Sequence, residues 1–228
     1  MDFRSPVYSP LQHAAVWLGG WLHGHVAFDD LSGAFIELFG AAPDVELVRE
    51  IRAVAPSEGP ALRLALSGPG DPTGLVEKEA LLVGNVALSP VTDETGVATA
   101  WNWREHSGPL SLPYYSPGEA ESALSEATRE AALMIERSGV RIPVGRGNPR
   151  QLVRSLSDHY DVPGLPASTP RRAVKLFARA DSVAAIVEAV HNRLGDHTFD
   201  PQLIGLCRHI RRARIAGVDY TLSEFSRA

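Results

Sequence analysis

The stretch of residues 79–106 constrains the fold more than any other part of the sequence. It predicts two strands joined by a loop at residues 92–96, because a short connection that contains glycine is typical of a hairpin. Alternation along the second strand places Trp101 and Trp103 on one face. A lone hairpin is only marginally stable in water, so helices from elsewhere in the chain must cover the face that bears the tryptophans.

A further strand and several helices are predicted around this hairpin. Residues 61–67 alternate between leucine and smaller or polar side chains, which indicates a half-buried strand. Helical periodicity and end signals predict helices over residues 11–23, 29–40, 44–54, 119–138, 149–160, 171–194 and 200–216. We therefore predict an α+β fold, with a small antiparallel sheet centred on the hairpin, helices packed on it, and a C-terminal antiparallel helical pair.

Aspartates precede or open two of the predicted helices. Asp44 is placed to cap the helix over residues 44–54, and Asp29 or Asp30 to cap the helix that ends at Gly40. Both helices should thus begin where a side-chain oxygen accepts a hydrogen bond from a free backbone N–H group.

The segment DVPGLPASTP, residues 161–170, is the strongest candidate for a linker, since it holds three prolines and a glycine among small or polar residues. It predicts an α+β domain over residues 1–160 and a helical C-terminal subdomain over residues 171–228, packed on the first.

Composition limits the class of protein. Among 228 residues, 44% are hydrophobic and 21% are charged, which is ordinary for a folded protein and excludes global disorder. Cys207 is alone, so an internal disulfide is excluded and a reducing compartment fits. No apolar run approaches the roughly 18 residues that a membrane span needs. We predict a cytoplasmic protein without membrane partners.

Aromatic and imidazole side chains near the second hairpin strand form one candidate ligand pocket. Its predicted residues are Trp101, Trp103, His106 and Tyr114. Core packing and an ordinary sheet face also explain the same residues, and buried aromatic side chains favour that alternative.

Basic side chains near the C-terminus form a candidate site for phosphate or nucleic acid. Helical spacing brings them together in two groups: Arg172, Lys175 and Arg179 on one helix, and Arg208, Arg211 and Arg212 on the next. A solvated helix face, or pairing with the acidic first part of the chain, is the alternative. Aromatic residues that could stack on bases are scarce here.

Motifs for catalysis, cofactors or metals are not found. His23 and His25, close to two aspartates, match no zinc spacing. The loop GPGDPTG, residues 68–74, lacks the lysine of a P-loop, and its prolines remove backbone donors, so it is interpreted as a plain turn. Cys207 is interpreted as a buried structural thiol. We predict no cofactor, no metal and no catalytic residue.

Several segments in order carry a family resemblance. They are LALSGPGDPTGL, EALLVGN, WNWREH, GEAESALSEATREA and PRRAVKLFARADSVAAIVEAV. This order resembles an uncharacterised conserved family of actinobacterial proteins, over most of the chain from Leu64 onward. The resemblance implies no activity and transfers no functional residue.

Three functions follow from these patterns. The first is a non-catalytic protein that acts by protein association, with homo-oligomers formed through the apolar helix of Trp17 and Trp21. The second is association with nucleic acid through the C-terminal arginines. The third is a small-molecule-binding protein or hydrolase with its site near the tryptophan-bearing strand.

Overall fold

The computed structural model describes residues 7–108, 110–137, 158, 160–194 and 200–227. Within these ranges the helices are α1 (Leu11–Leu22), α2 (Phe28–Phe39), α3 (Val45–Val54), α4 (Pro117–Arg137), α5 (Arg171–Leu194) and α6 (Asp200–Phe225). The strands are β1 (Arg63–Leu66), β2 (Glu79–Val83), β3 (Val86–Thr92) and β4 (Ala98–Glu105). The predicted α+β class is confirmed. Apart from residues 158 and 160, the helix predicted over residues 149–160 lies outside the described residues.

The four strands form one antiparallel sheet in the order β1-β2-β3-β4. The prediction of two strands within residues 79–106 was wrong, because Gly84 and Asn85 make a tight turn that divides the first predicted strand into β2 and β3. Gly84 has a φ of 58°, a left-handed conformation that favours glycine. A Cβ there would also lie 2.8 Å from the carbonyl oxygen of Val54 at the end of α3.

One face of the sheet packs on helices. Leu64, Leu81, Leu88 and Trp103 pair in register across the four strands, and the first three belong to the core cluster that also includes α1, α2 and α3. Trp101 contacts Phe35 and Phe39 of α2, with ring centroids 5.9 and 5.2 Å apart. These contacts cover the face that bears the tryptophans, as predicted.

The opposite face of the sheet is also covered over β1, β2 and β3. A second cluster contains Ala65, Ala80, Leu82 and Ala87, against which the partly buried side chains of Leu75, Leu110 and Leu112 pack. The prediction that β1 is buried on one face only was therefore wrong. The residues that cover its second face lie in loops, whose sequences have no periodic pattern from which this packing could be predicted.

The helix starts agree with the predictions in one case and differ in another. The Asp44 carboxylate accepts a hydrogen bond from the Glu46 backbone N–H at 3.0 Å, which confirms the cap of α3. In α2 the cap position belongs to Ala27, and Asp29 and Asp30 lie in the first turn. There they still complement the positive end of the helix dipole.

The C-terminal helices pack together in the predicted antiparallel manner, since Phe177 of α5 meets Gly217 of α6 while Asp181 pairs with Arg214. The helix α6 extends to Phe225, beyond the predicted end near residue 216. Its last turns pack on α1, where a Cβ on Gly19 would lie 2.0 Å from Leu222. The longer helix thus joins both ends of the described chain in one core cluster.

The predicted linker, residues 161–170, contacts the first helix. The Trp17 indole donates a hydrogen bond of 3.0 Å to the carbonyl oxygen of Gly164. Pro166 and Thr169 are buried. The division of the chain into domains at this segment stays a prediction.

Candidate functional site

Three arginines of α6 contact the loop of residues 68–74, which is rich in glycine and proline. They are Arg208, Arg211 and Arg212. The Asp71 carboxylate accepts hydrogen bonds from Arg212 at 2.6 and 3.0 Å and from Arg208 at 3.2 Å. Arg211 donates from Nη2 to the carbonyl oxygen of Pro69 at 3.0 Å. The loop, whose ends lie at β1 and β2, is therefore fixed to α6 at two points.

Gly68 lets the Arg211 guanidinium lie directly against the loop. A Cβ at this position would be 2.5 Å from Cζ of Arg211 and 2.7 Å from its Nη1. Any larger residue would have to displace the guanidinium or the loop. The glycine is thus required by a close approach of side chain to backbone.

A cavity of about 440 Å³ lies beside this contact. It is lined by four parts of the chain: Val7, Tyr8 and Ser9 before α1; Leu66 at the end of β1 with Ser67, Gly68 and Pro69 after it; Lys78 and Glu79 at the start of β2; and Arg211 and Arg214 of α6. Its volume falls in the range of small-molecule pockets in proteins, roughly 300 to 1,000 Å³.

Arg214 is a buried cation with a nearly complete set of partners. The residue is 1% exposed, and its Nη1 lies 2.7 Å from Oδ1 of Asp181, which is 3% exposed. It also donates to the Val7 carbonyl at 2.9 Å and to the Gln12 side chain at 2.5 Å. Burial raises the pKa of Asp181, and the Arg214 charge partly offsets that rise. The pair joins α6 to α5, and the two other bonds join α6 to the start of α1.

Arg211 lies one turn away on the same helix and is also buried, at 4% exposed. Its one hydrogen bond goes to the neutral Pro69 carbonyl, and its Nε and Nη1 have no partner among the described residues. Burial lowers the pKa of this guanidinium, but arginine stays protonated in proteins. The nearby Asp71 charge opposes that lowering of the pKa, but the hydrogen bonds of Asp71 go to Arg208 and Arg212. The cavity is therefore bordered by a buried positive charge that forms no ion pair within the described chain.

Glu79 and Ser9 line the same cavity. Burial raises the pKa of the Glu79 carboxyl, and the nearby Ser9 hydroxyl partly offsets that rise. No ion pair between Glu79 and either buried arginine occurs in the described structure. The cavity thus has a basic wall on α6 and a separate carboxyl group at the start of β2.

His13 adds a titratable group behind Arg214. Burial and the nearby Arg214 charge together lower its pKa to about 4. Its imidazole is consequently neutral at pH 7.

The structure places the residues of the predicted aromatic pocket in three environments. Trp101 and Trp103 are half-buried on the face packed against the helices, and Tyr114 is 65% exposed. His106 lines another cavity, of about 320 Å³, with Leu110 and Leu112. A site formed by all four stays a prediction.

The predicted basic residues fall into two environments. Arg172, Lys175 and Arg179 are exposed on α5. Arg208, Arg211 and Arg212 instead face the loop of residues 68–71, and two of them share the Asp71 carboxylate. A nucleic-acid surface made by both groups stays a prediction.

The two tryptophans of α1 contact residues of their own chain. Besides the bond of Trp17 to Gly164, the Arg52 guanidinium lies 3.9 Å from the ring centroid of Trp21. These contacts account for both side chains within one chain, and association through this helix stays a prediction.

The described residues outside the cavity include neither a cluster of metal ligands nor an ionised thiol. No cluster of three or more His, Cys, Asp or Glu residues that could hold a metal occurs among the described residues. Cys207 is buried, and burial raises the pKa of its thiol to about 11, so it is protonated at neutral pH. In the described ranges, no helix has both the length and the apolar character to cross a membrane.

The sequence patterns missed Asp181, Ser9, Lys78 and Glu79 as site residues. They indicated Arg214 as one of the basic charges near the C-terminus, but did not place it on the shared face of Arg208, Arg211 and Arg212. One signal was available, because Asp181 and Arg214 each interrupt a mainly apolar helix face, and charges in that position are usually paired. The other three lie in segments whose spatial neighbours no local pattern reveals.

The fold and the cavity define a class: an α+β protein with a four-stranded antiparallel sheet and a basic pocket between the sheet and its last helix. Two family models match nearly the whole described chain, the N-terminal domain of Rv1486c-like proteins over residues 12–115 and their C-terminal domain over residues 118–215. The chain therefore belongs to the Rv1486c-like protein family. The match begins before Leu64, where the resemblance in the sequence starts, and it includes α1.

One relative is the uncharacterised protein MT1533 of Mycobacterium tuberculosis (strain CDC 1551 / Oshkosh). It is 24% identical over 238 aligned positions, which cover 79% of this chain and 82% of the relative. No solved structure matches the chain. The resemblance to an actinobacterial family is thus confirmed, and no activity comes with it.

Proposed function

We propose that this protein binds a small organic anion in the cavity beside Arg211. The observation that carries the proposal is the Arg211 guanidinium, which is 4% exposed. Among the described residues it has no carboxylate within ion-pair distance, and two of its nitrogen atoms have no hydrogen bond. An unpaired buried donor costs about 1–3 kcal/mol, and more when it is charged. An anion in the cavity would remove that cost, which makes binding favourable.

The surrounding residues support an organic anion over a bare ion. A volume of about 440 Å³ exceeds what a single phosphate or sulfate fills, and Val7, Leu66 and Pro69 provide apolar lining. Arg214 and Lys78 add positive potential to the same cavity. The proposal is a form of the small-molecule hypothesis, moved from the tryptophan-bearing strand to the other end of the sheet. It concerns binding and names no reaction.

Isothermal titration with gluconate and with sorbitol 6-phosphate tests the proposal. We expect at least one to bind the wild-type protein, and Arg211→Met to abolish that binding while the variant stays folded. Arg179→Met is the matched control, because it removes the same charge from an exposed position on α5. Equal binding by wild type and Arg211→Met, or no binding of either anion, would contradict the proposal.

A cytoplasmic location and action by association stay predictions beside this proposal. Sedimentation of the wild-type protein with and without a bound anion measures whether binding and self-association are linked.

A further inference from the structure

The part of the cavity lining that is formed by β2, apart from the arginines of α6, determines which second chemical group the ligand must have. Glu79 begins β2 and lines the cavity, while Arg211 lines it from α6, and no ion pair joins them. A ligand that reaches both groups therefore has an anionic end and a second polar end. This inference rests on the proposed function.

The Glu79 carboxyl lies near Ser9 and still has room to accept hydrogen bonds. The buried Ser9 hydroxyl is near enough to lower the pKa of this carboxyl, and the Ser9 oxygen accepts a hydrogen bond from the Leu11 backbone N–H at 3.2 Å. A carboxylate has about four lone-pair positions, so one bond from a hydroxyl leaves most of them available. Glu79 can thus receive a donor from the ligand without losing Ser9.

The charge of the lining decides between the two common donors, a hydroxyl and an ammonium group. Arg211, Arg214 and Lys78 line the cavity together with one carboxyl group, that of Glu79. Because Asp181 balances Arg214, the remaining excess is one positive charge. A ligand ammonium would be repelled by this excess of positive charge. A neutral hydroxyl meets no such repulsion.

We propose that the ligand is a hydroxylated organic anion, of the sugar-acid or sugar-phosphate kind, with its anionic group at Arg211 and a hydroxyl donating to Glu79. The carboxylate and the phosphate share this chemistry. Pairs of six-carbon probes separate them: gluconate against hexanoate, and sorbitol 6-phosphate against hexyl phosphate.

The experiment measures dissociation constants of all four probes by isothermal titration on the full chain. In the wild type, we expect the hydroxylated member of the binding pair to bind at least about tenfold more tightly, since a hydrogen bond to a charged group contributes that much. The pair that shows this preference identifies the anionic group as carboxylate or phosphate.

Substitutions at Glu79 test its proposed contact with a hydroxyl group of the ligand. Glu79→Met should reduce the preference for the hydroxylated probe by about tenfold while binding still depends on Arg211. Glu79→Gln keeps an acceptor oxygen and should retain part of the preference. Glu121→Met, at an exposed position on α4, is the matched control and should change nothing.

Two outcomes would overturn the inference while leaving the proposed function intact. One is equal binding of hydroxylated and plain probes that is still lost in Arg211→Met. The other is tighter binding of 6-aminohexanoate than of gluconate, which would identify an ammonium as the group at Glu79. Binding that does not depend on Arg211 would instead refute the proposed function itself.

Discussion

Arg211 and Arg214 lie one turn apart on α6, and both are buried, but they differ in their partners. Arg214 is paired with Asp181 and bonded to two further oxygens, whereas Arg211 reaches one backbone carbonyl. Breaking a buried ion pair costs far more than removing an unpaired cation, because the partner charge is left uncompensated. We therefore expect Arg214 to stabilise the fold and Arg211 to bind the proposed anion.

The largest expected effect is that of Arg214→Met on stability. The substitution leaves the buried Asp181 carboxylate without its partner, so we expect a loss of about 3–5 kcal/mol in the free energy of unfolding. Urea denaturation measures it. The double variant Arg214→Met with Asp181→Leu should recover much of the loss, and failure to recover would show that the ion pair is not its cause.

His13, whose pKa is lowered in part by the nearby Arg214 charge, makes the stability of the fold depend on pH. Its pKa is lowered from 6.5 to about 4 in the folded chain, so below pH 6.5 the unfolded chain takes up a proton that the folded chain does not. The stability contributed by neutral His13 is complete above pH 6.5 and falls as the pH drops toward 4, by about 3 kcal/mol in all.

Denaturation of the wild type and of His13→Leu between pH 7 and pH 4 measures this contribution as a difference. The difference is needed because burial raises the pKa of Glu79, Asp181 and Asp219. A raised carboxyl pKa favours folding at low pH, which opposes the effect of His13. Parallel pH profiles for the two proteins would refute the assignment to His13.

Gly68→Ala tests the contact of Arg211 with the loop. Its Cβ would overlap the guanidinium, which is the far end of a flexible side chain and can shift. We therefore expect weaker anion binding, with a loss of only about 1 kcal/mol in stability. Gly205→Ala is the control, because it lies on α6 with no atom within 4 Å of the added Cβ. That change should be neutral or stabilising by up to about 1 kcal/mol, since alanine favours helix.

The smallest expected effect on stability is that of Arg211→Met. The substitution removes the cost of the unpaired buried nitrogens, but it also loses the hydrogen bond to the Pro69 carbonyl. Because these two effects oppose each other, we expect a change of less than about 1 kcal/mol in the free energy of unfolding. Thermal and urea denaturation check this. If Arg211→Met lost as much free energy of unfolding as Arg214→Met, the proposed difference between the two arginines would be wrong, and Arg211 would also be needed for the stability of the fold.

Much of the fold follows from local patterns in the sequence. The alternation of Trp101, Asn102 and Trp103 in β4, the Asp44 cap and the left-handed Gly40 at the end of α2 are all local features, and they occur as predicted. Gly84 and Asn85 also form a recognisable two-residue turn, but the long apolar run around them was interpreted as a single strand.

The other differences depend on contacts between distant parts of the chain. Gly217 lowers helix propensity, yet α6 continues through it because the Phe177 ring of α5 packs against it. The candidate site shows the same limit. The sequence named Arg211 and the loop separately, but only the packing of α6 against the end of β1 brings them together.

The contact between the end of α6 and α1 has a consequence for how the chain is made. Leu222 and Phe225 belong to the core cluster that α1 begins, although they are synthesised about two hundred residues later. While the ribosome is still translating α6, the apolar surface of α1 has no complete partner. We expect this core to close only after synthesis of residue 225, so the nascent chain must keep its first helix from aggregating until its last helix arrives.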